Sequence, residues 1–356
     1  MQQRINRLRA ELKERELDAC LVTKIENVFY LSGFTGDTGA LLISGDEAYF
    51  FADSRFTLQA SQEATGFIVV PVERSFFASI AQFLTQRNWP KVGVEAHHLS
   101  VGNFQKLQKA LNSKVSLEPL DQLVEKLRMI KEPAELAIMK EAVTLTEAAF
   151  NELLPLIKPG VTERYLQVQL IKLLYEAGFS GPSFDFIVAS GERGALPHGV
   201  ATDRTVNSGE LITFDFGGVY NRYCSDMTRT IAVGEISPQL KEIYQIVHLA
   251  QDEAEKAARP GMNGRDLDAV SRQVIADSGY GDNFGHGLGH GVGLEIHELP
   301  AVSPRGEELL KPGMVITIEP GIYIAGIGGV RIENQLAITE TGAEVWNSFN
   351  KDLLVL

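Results

Sequence analysis

Residues 211–233 read LITFDFGGVYNRYCSDMTRTIAV, two hydrophobic runs joined by a polar turn, with Asp215 and Asp226 set among apolar neighbours. Read as a hairpin turning at Tyr220 and Asn221, the stretch places Asp215 opposite Asp226, and residues opposed in this way have Cβ atoms about 5 Å apart. Two carboxylates that close repel unless a cation lies between them. Residues 315–338, VITIEPGIYIAGIGGVRIENQLAI, repeat the device, with Glu319 and Glu333 flanking Gly326. Between the two hairpins, 285–300 reads GHGLGHGVGLEIHELP and supplies His290. Isolated carboxylates are costly to bury, so four of them with an imidazole imply bound cations. Five ligands are too many for one tetrahedral zinc. They suit two divalent ions ~3.5–4 Å apart with carboxylate bridges. Hard oxygen ligands favour manganese, with cobalt or zinc as substitutes.

Around these stretches the chain divides by texture. Residues 1–125 alternate helix and strand signals: a helix over 4–15, strands at ACLVT, GALLIS, EAYFFA, FIVVPV and KVGVE, and helices near 54–63, 76–87 and 99–111. That alternation predicts a mixed sheet flanked by helices. From 126 to 356, long helical patterns (133–154, 162–177, 238–258 and 264–277) are interleaved with glycine-rich strands, the boundary lying within 120–132. The fold class is α/β (α+β) in two domains, with an internal repeat in the second. At an offset of 101, Pro159, Gly160, Arg164, Leu166 and Gly178 match Pro260, Gly261, Arg265, Leu267 and Gly279. Thr162 and Asn263 are the corresponding helix N-caps. At an offset of 104, Gly209, Ile212, Thr213 and Gly217 match Gly313, Ile316, Thr317 and Gly321, and Asp215 falls on Glu319. Each half of a duplicated helix–helix–strand unit then supplies carboxylates to a shared centre.

A formal net charge of −13 argues against a nucleic-acid partner, which needs clustered Lys and Arg. Cys20 and Cys224 are the only cysteines and fall in different domains, so a reducing cytoplasm is expected. The charged, amphipathic start has no signal-type apolar core, and no run of ~18 apolar residues follows. Neither secretion nor membrane insertion is expected.

The ordered motifs GALPHG, TFDFGGVYNRYCSDMTRT, GHGLGHGVGLEIHE, TIEPGIY and GGVRIEN resemble those of the pita-bread metallopeptidases. NVFYLSGFTG and FADSRFTLQA resemble the N-terminal domain of that family's proline-specific branch, the Xaa-Pro dipeptidases (prolidases) and Xaa-Pro aminopeptidases. The resemblance implies a creatinase-like domain followed by a pita-bread catalytic domain that cleaves ahead of proline in peptides. It implies two metals on Asp215, Asp226, His290, Glu319 and Glu333, with Asp226 and Glu333 bridging. Glu319 would also accept the proton of the attacking water, and His198 and His297 would contact substrate. Arg331 would orient the carboxylates and His286 would be a loop group beside them. Arg55 would reach a substrate pocket, and the chain would form a homodimer. Several dipeptidase members of that family carry an arginine shortly after the HExP stretch, where it can grip the terminal carboxylate. Here HELP is followed by Ala301 and Val302, with Arg305 the next arginine, which tilts the expectation towards an aminopeptidase over a strict dipeptidase. A catalytically inactive binding module and a metal-free creatine hydrolase are the rivals from other classes, and the full ligand set weighs against both.

Overall fold

A computed structural model of the chain describes residues 1–73 and 75–356, which form two compact units, Met1–Arg128 and Met129–Leu356. The first unit contains α1 (Gln2–Glu14), β1 (Ala19–Val22), α2 (Ile25–Ser32), β2 (Ala40–Ser44), β3 (Ala48–Ala52), α3 (Thr57–Glu63), β4 (Ile68–Pro71), α4 (Phe76–Thr85), β5 (Lys91–Glu95), α5 (Val101–Leu111), β6 (Ser116–Leu120) and α6 (Leu123–Arg128). Its six strands form one mixed sheet in the order β4-β3-β2-β1-β5-β6. The β1–β2–β3 meander is antiparallel, and β4, β5 and β6 join in parallel. Helix α2 has no counterpart among the elements expected from the sequence. The buried Glu95 carboxylate decides for the helix by accepting the N–H groups of Thr23 and Lys24 at its entry.

The second unit comprises α7 (Pro133–Leu153), α8 (Glu163–Glu176), β7 (Ile187–Ser190), β8 (Glu210–Phe216), β9 (Val219–Tyr220), β10 (Tyr223–Cys224), β11 (Met227–Val233), α9 (Pro238–Ala257), α10 (Gly264–Asp277), β12 (Gly289–Gly291), β13 (Glu298–Val302), β14 (Val315–Ile318), β15 (Gly321–Ile324), β16 (Gly328–Arg331), β17 (Asn334–Ile338) and β18 (Ala343–Val345). The internal repeat is present in the backbone, since α10 begins and ends 101 residues after α8. Thr162 and Asn263 cap these helices, accepting from the N–H of Tyr165 and of Asp266. Gly160 and Gly261, Gly178 and Gly279, and Gly209 and Gly313 are all left-handed, a conformation that side chains with a Cβ resist. In one half, Phe150, Leu166 and Leu170 of α7 and α8 pack on Phe214 and Ile231 of the antiparallel sheet β11-β8-β7. In the other, Val247, Leu267 and Ile275 of α9 and α10 pack on Ile316 and Leu336 of the sheet β13-β12-β14-β17-β18. Among the described residues no helix is long and apolar enough to cross a membrane.

One expectation requires correction. Asp215 is not opposite Asp226; its partner across the ladder is Thr228. Both Asn221 (φ 46) and Arg222 (φ 73) adopt the left-handed conformation of a two-residue hairpin turn, which pairs Tyr220 with Tyr223. The turn therefore sits one residue later than the sequence suggested, and Asp226 falls in the interruption between β10 and β11. Gly217 permits that interruption, since a Cβ there would lie 1.8 Å from the Ser225 carbonyl oxygen. The second hairpin keeps its expected register. Ile318 pairs with Asn334 and Gly321 with Arg331, so Glu319 and Glu333 occupy matching positions in the break between the two ladders.

Candidate metal centre

Asp215, Asp226, His290, Glu319 and Glu333 line a single cavity of about 500 Å³, together with His198, His286, His297 and Arg331. The apolar wall includes Phe184, Ile187, Pro197, Val200 and Ile296. Arg55 belongs to the first unit, where its guanidinium pairs with Asp53 at 2.7 Å and stays largely exposed.

Asp215 lies within the regular ladder of β8, whereas Asp226, His290, Glu319 and Glu333 are delivered by places where regular pairing shifts or stops. His290 lies in β12 between two glycines that no other residue could replace. A Cβ on Gly289 would meet the Thr317 carbonyl oxygen at 2.1 Å, and one on Gly291 the Leu299 carbonyl oxygen at 2.2 Å. The imidazole Nδ1 lies 3.0 Å from the Gly291 carbonyl, so that nitrogen carries the proton and Nε2 keeps its lone pair. Nε2 lies 3.3 Å from Glu319 Oε1 and 3.5 Å from Asp226 Oδ2. Burial, with the neighbouring His297 as a smaller cause, lowers the pKa of His290 to about 4, which keeps the ring neutral.

The Asp226 N–H donates to Gln335 Oε1 at 2.9 Å, and the Glu333 N–H donates to the Thr228 carbonyl at 3.1 Å. The Thr228 hydroxyl donates to Glu333 Oε2 at 2.7 Å. The other oxygens of these two carboxylates, Asp226 Oδ1 and Glu333 Oε1, are buried and have no hydrogen-bond partner. Asp226, His290 and Glu333 each offer one ligand atom within 4.8 Å of the others. Asp215 lines the same cavity, with Oδ2 2.5 Å from Arg331 Nη2. Arg331 also donates to the Tyr323 hydroxyl at 2.7 Å and to the Thr228 hydroxyl at 3.2 Å. The Tyr323 hydroxyl in turn lies 2.8 Å from His286 Nε2.

Without a cation this cluster is electrostatically costly. Burial, and then repulsion from Glu333, Asp215 and Glu319, hold the Asp226 carboxyl well above the usual carboxylate range. Burial, followed by Glu319 and Asp215, does the same to Glu333. Burial pushes Glu319 up to about 8 against the opposing pull of Arg331. Unpartnered buried oxygens, a neutral imidazole with a free lone pair and carboxylates that resist ionising together are the donor set of a hard divalent cation. The residues fit such an ion.

Tyr323 and Thr228 were missed by sequence reasoning, although a signal existed for one of them. Thr228 and Thr230 alternate in a strand buried on both faces, where hydroxyls must find partners. Tyr323 looked like an ordinary alternating strand residue, and only its reach to Arg331 and His286 reveals it.

Residues 137–340 match the model of metallopeptidase family M24, and residues 4–130 match the creatinase/prolidase N-terminal domain. The chain belongs to metallopeptidase family M24. An Xaa-Pro dipeptidase of Bacillus anthracis superposes with a TM-score of 0.97 at 42% identity, over 100% of this chain and 99% of that one. An X-Pro aminopeptidase of Thermotoga maritima superposes at 0.88 with 38% identity, covering 96% and 98%. By sequence, an Xaa-Pro dipeptidase of Pyrococcus furiosus is 39% identical over 99% of this chain and all of that relative. The two-domain layout is that of the M24 prolidases. Membership makes the chain a metallopeptidase, and a divalent-metal requirement accompanies it.

Proposed function

We propose that this M24 protein is a two-metal exopeptidase that cleaves the bond between an N-terminal residue and a following proline, and that it accepts peptides longer than two residues. The observation that carries the metal reading is the pair of unpartnered buried oxygens, Asp226 Oδ1 and Glu333 Oε1, in one cavity with the neutral His290. Asp215 and Asp226 would hold one ion and His290 and Glu319 the other, with Asp226 and Glu333 shared. The oxygen-rich set favours manganese, with cobalt or zinc as substitutes. Bound ions would supply an activated water near neutral pH and polarise the scissile carbonyl.

The remaining steps fall to the chain. Glu319, whose Oε1 lies 3.3 Å from His290 Nε2, would take the proton from the attacking water as its ionised carboxylate. His297 stacks edge-on against His290 with ring centroids 4.3 Å apart. Burial lowers the His297 pKa and keeps it a neutral hydrogen-bond donor for the oxygen that gains charge. His198 lines the same cavity and would position the proline carbonyl. His297→Ala is expected to lower kcat by about 10²-fold with metal content near normal, read by steady-state kinetics and elemental analysis. Loss of metal with activity would move His297 into the ligand set. Cys20 and Cys224 are both buried and form no disulfide, which suits a reducing cytoplasm.

Tolerance of longer chains is supported by what the cavity wall contains. Among its described lining residues Arg331 is the only arginine or lysine, and it is engaged by Asp215 and Tyr323. Ala301 and Val302 offer no cation for a dipeptide's terminal carboxylate. The names of the Bacillus anthracis and Pyrococcus furiosus relatives favour the second reading, a strict dipeptidase. Hydrolysis of Ala-Pro, Ala-Pro-Ala-Ala and Ala-Ala-Ala-Ala with added manganese separates the two. The tetrapeptide with proline is expected to be cleaved efficiently and the proline-free peptide left intact. Cleavage of Ala-Pro alone would establish the dipeptidase.

A further inference from the structure

Two walls of the cavity are irregular backbone, and each is held by one buried carboxylate from a helix of the internal repeat. Residues 191–204 carry Pro197, His198 and Val200 to the cavity and contain no strand. Glu163, the first residue of α8, has a fully buried side chain aimed at both ends of that segment. Its Oε1 accepts the N–H and the hydroxyl of Ser190, both at 2.8 Å. Its Oε2 accepts the N–H of Thr202 at 3.0 Å, the Thr202 hydroxyl at 2.8 Å and the Arg193 guanidinium. Arg193 continues to the Val200 carbonyl at 2.7 Å, two residues beyond His198. Burial alone would raise the Glu163 pKa, yet these donors hold it below the usual value, so the group is an anion in a site built for one.

The other wall is built by a similar device from a different position. Asp268 of α10 is buried, and its Oδ1 accepts the Leu288 N–H at 2.9 Å. Both its oxygens grip Arg272, at 2.7 and 2.9 Å, and Arg272 donates to the carbonyls of Phe284 (2.9 Å) and His286 (2.7 Å). The repeat does not copy Glu163. Its counterpart is Gly264, where a Cβ would lie 2.0 Å from the Ala301 carbonyl oxygen. Two halves of one duplication thus hold their loops through unrelated side chains, which points to a shared demand on the loops.

We propose that Glu163 and Asp268 are positioning residues of the peptidase, fixing the His198 wall and the His286 wall of the cavity at the separation a scissile peptide requires. This rests on the Xaa-Pro peptidase reading for the kinetic part only. Neither carboxylate touches the cavity; each acts through loop backbone, and a small displacement of a substrate-positioning group is costly in rate.

The test uses the full chain in manganese-containing buffer, with Glu163→Gln and Asp268→Asn compared with wild type. Hydrogen–deuterium exchange is expected to rise within 191–202 in Glu163→Gln only, and within 284–290 in Asp268→Asn only. Each variant is expected to lose about tenfold or more in kcat/KM on Ala-Pro-Ala-Ala with metal content unchanged. Unaltered exchange in a variant's own loop, a looser loop with unaltered kcat/KM, or metal lost in step with activity would each overturn the proposal. Should a variant fail to fold, Ser190→Ala with Thr202→Val tests the first brace and Arg272→Met the second, with the same expected exchange pattern. If wild type cleaves no Xaa-Pro substrate, the peptidase reading falls, and the exchange measurements alone decide whether the braces exist.

Discussion

Glu333→Gln and Asp226→Asn are each expected to abolish stoichiometric metal binding and to lower Xaa-Pro hydrolysis by on the order of 10³-fold or more, while the fold survives. Each residue presents one buried oxygen that no protein group satisfies, and each sits in a break between two ladders. Converting either carboxylate to an amide leaves its shape and its supporting bonds in place, namely Gln335 on the Asp226 backbone and Thr228 on Glu333. The change removes a negative charge from a cluster whose members already resist ionising. The metal-free variants should therefore unfold at or above the temperature of the metal-free wild type at pH 8. Titration of metal-stripped protein with manganese, followed by calorimetry and peptide hydrolysis, checks both halves of the expectation. Normal turnover in either variant would remove that residue from the shared-ligand role.

The metal-free protein is also expected to lose stability between pH 6.5 and pH 8, and divalent metal to restore it. Glu319 has a folded pKa of about 8 against 4.5 for an ordinary glutamate, and Asp226 and Glu333 shift in the same direction. Above about pH 4.5 the unfolded chain has released these protons while the folded chain still holds them. Stability then falls as pH rises, by up to about 1.4 kcal/mol per held proton per pH unit. His286 and His290 act in the opposite direction, because burial lowers both to about 4. Their unfolded forms bind protons below 6.5, so their contribution rises with pH only up to that value. Glu163 and Glu210, whose folded pKa values are depressed, lose stability only at still lower pH. The interval from 6.5 to 8 therefore isolates the carboxylate cluster. Thermal unfolding in chelator is expected to give a lower Tm at pH 8 than at pH 6.5, and manganese to raise the pH 8 value most. A metal-free Tm that rises across this interval would mean that Asp226, Glu319 and Glu333 do not share one low-dielectric site.

Much of this centre was legible because buried carboxylates in apolar strands need an explanation. The duplication was legible for a related reason: glycines required by left-handed backbone recur at an offset of 101 residues for 160 and 261 and of 104 for 209 and 313. The register of the first hairpin was misread because Asn221 and Arg222 both take φ > 0, a demand usually met by a glycine that the sequence does not contain there. The result was Asp215 facing Thr228 and Arg331, and not Asp226. Helix α2 was hidden because a capping carboxylate far along the chain, Glu95, determines its start. Tyr323, Glu163 and Asp268 were illegible for the same reason. Their meaning lies in which distant backbone they reach, and a linear pattern of polar and apolar residues does not encode that reach.

The most direct test of a two-metal Xaa-Pro peptidase is activity on Ala-Pro-Ala-Ala as metal-stripped protein is titrated with manganese. Hydrolysis at the Ala-Pro bond should be absent at the start and should rise to a plateau at two equivalents per chain. Ala-Ala-Ala-Ala should remain uncleaved throughout. Activity that survives full metal removal, or equal cleavage of the proline-free peptide, would contradict the account.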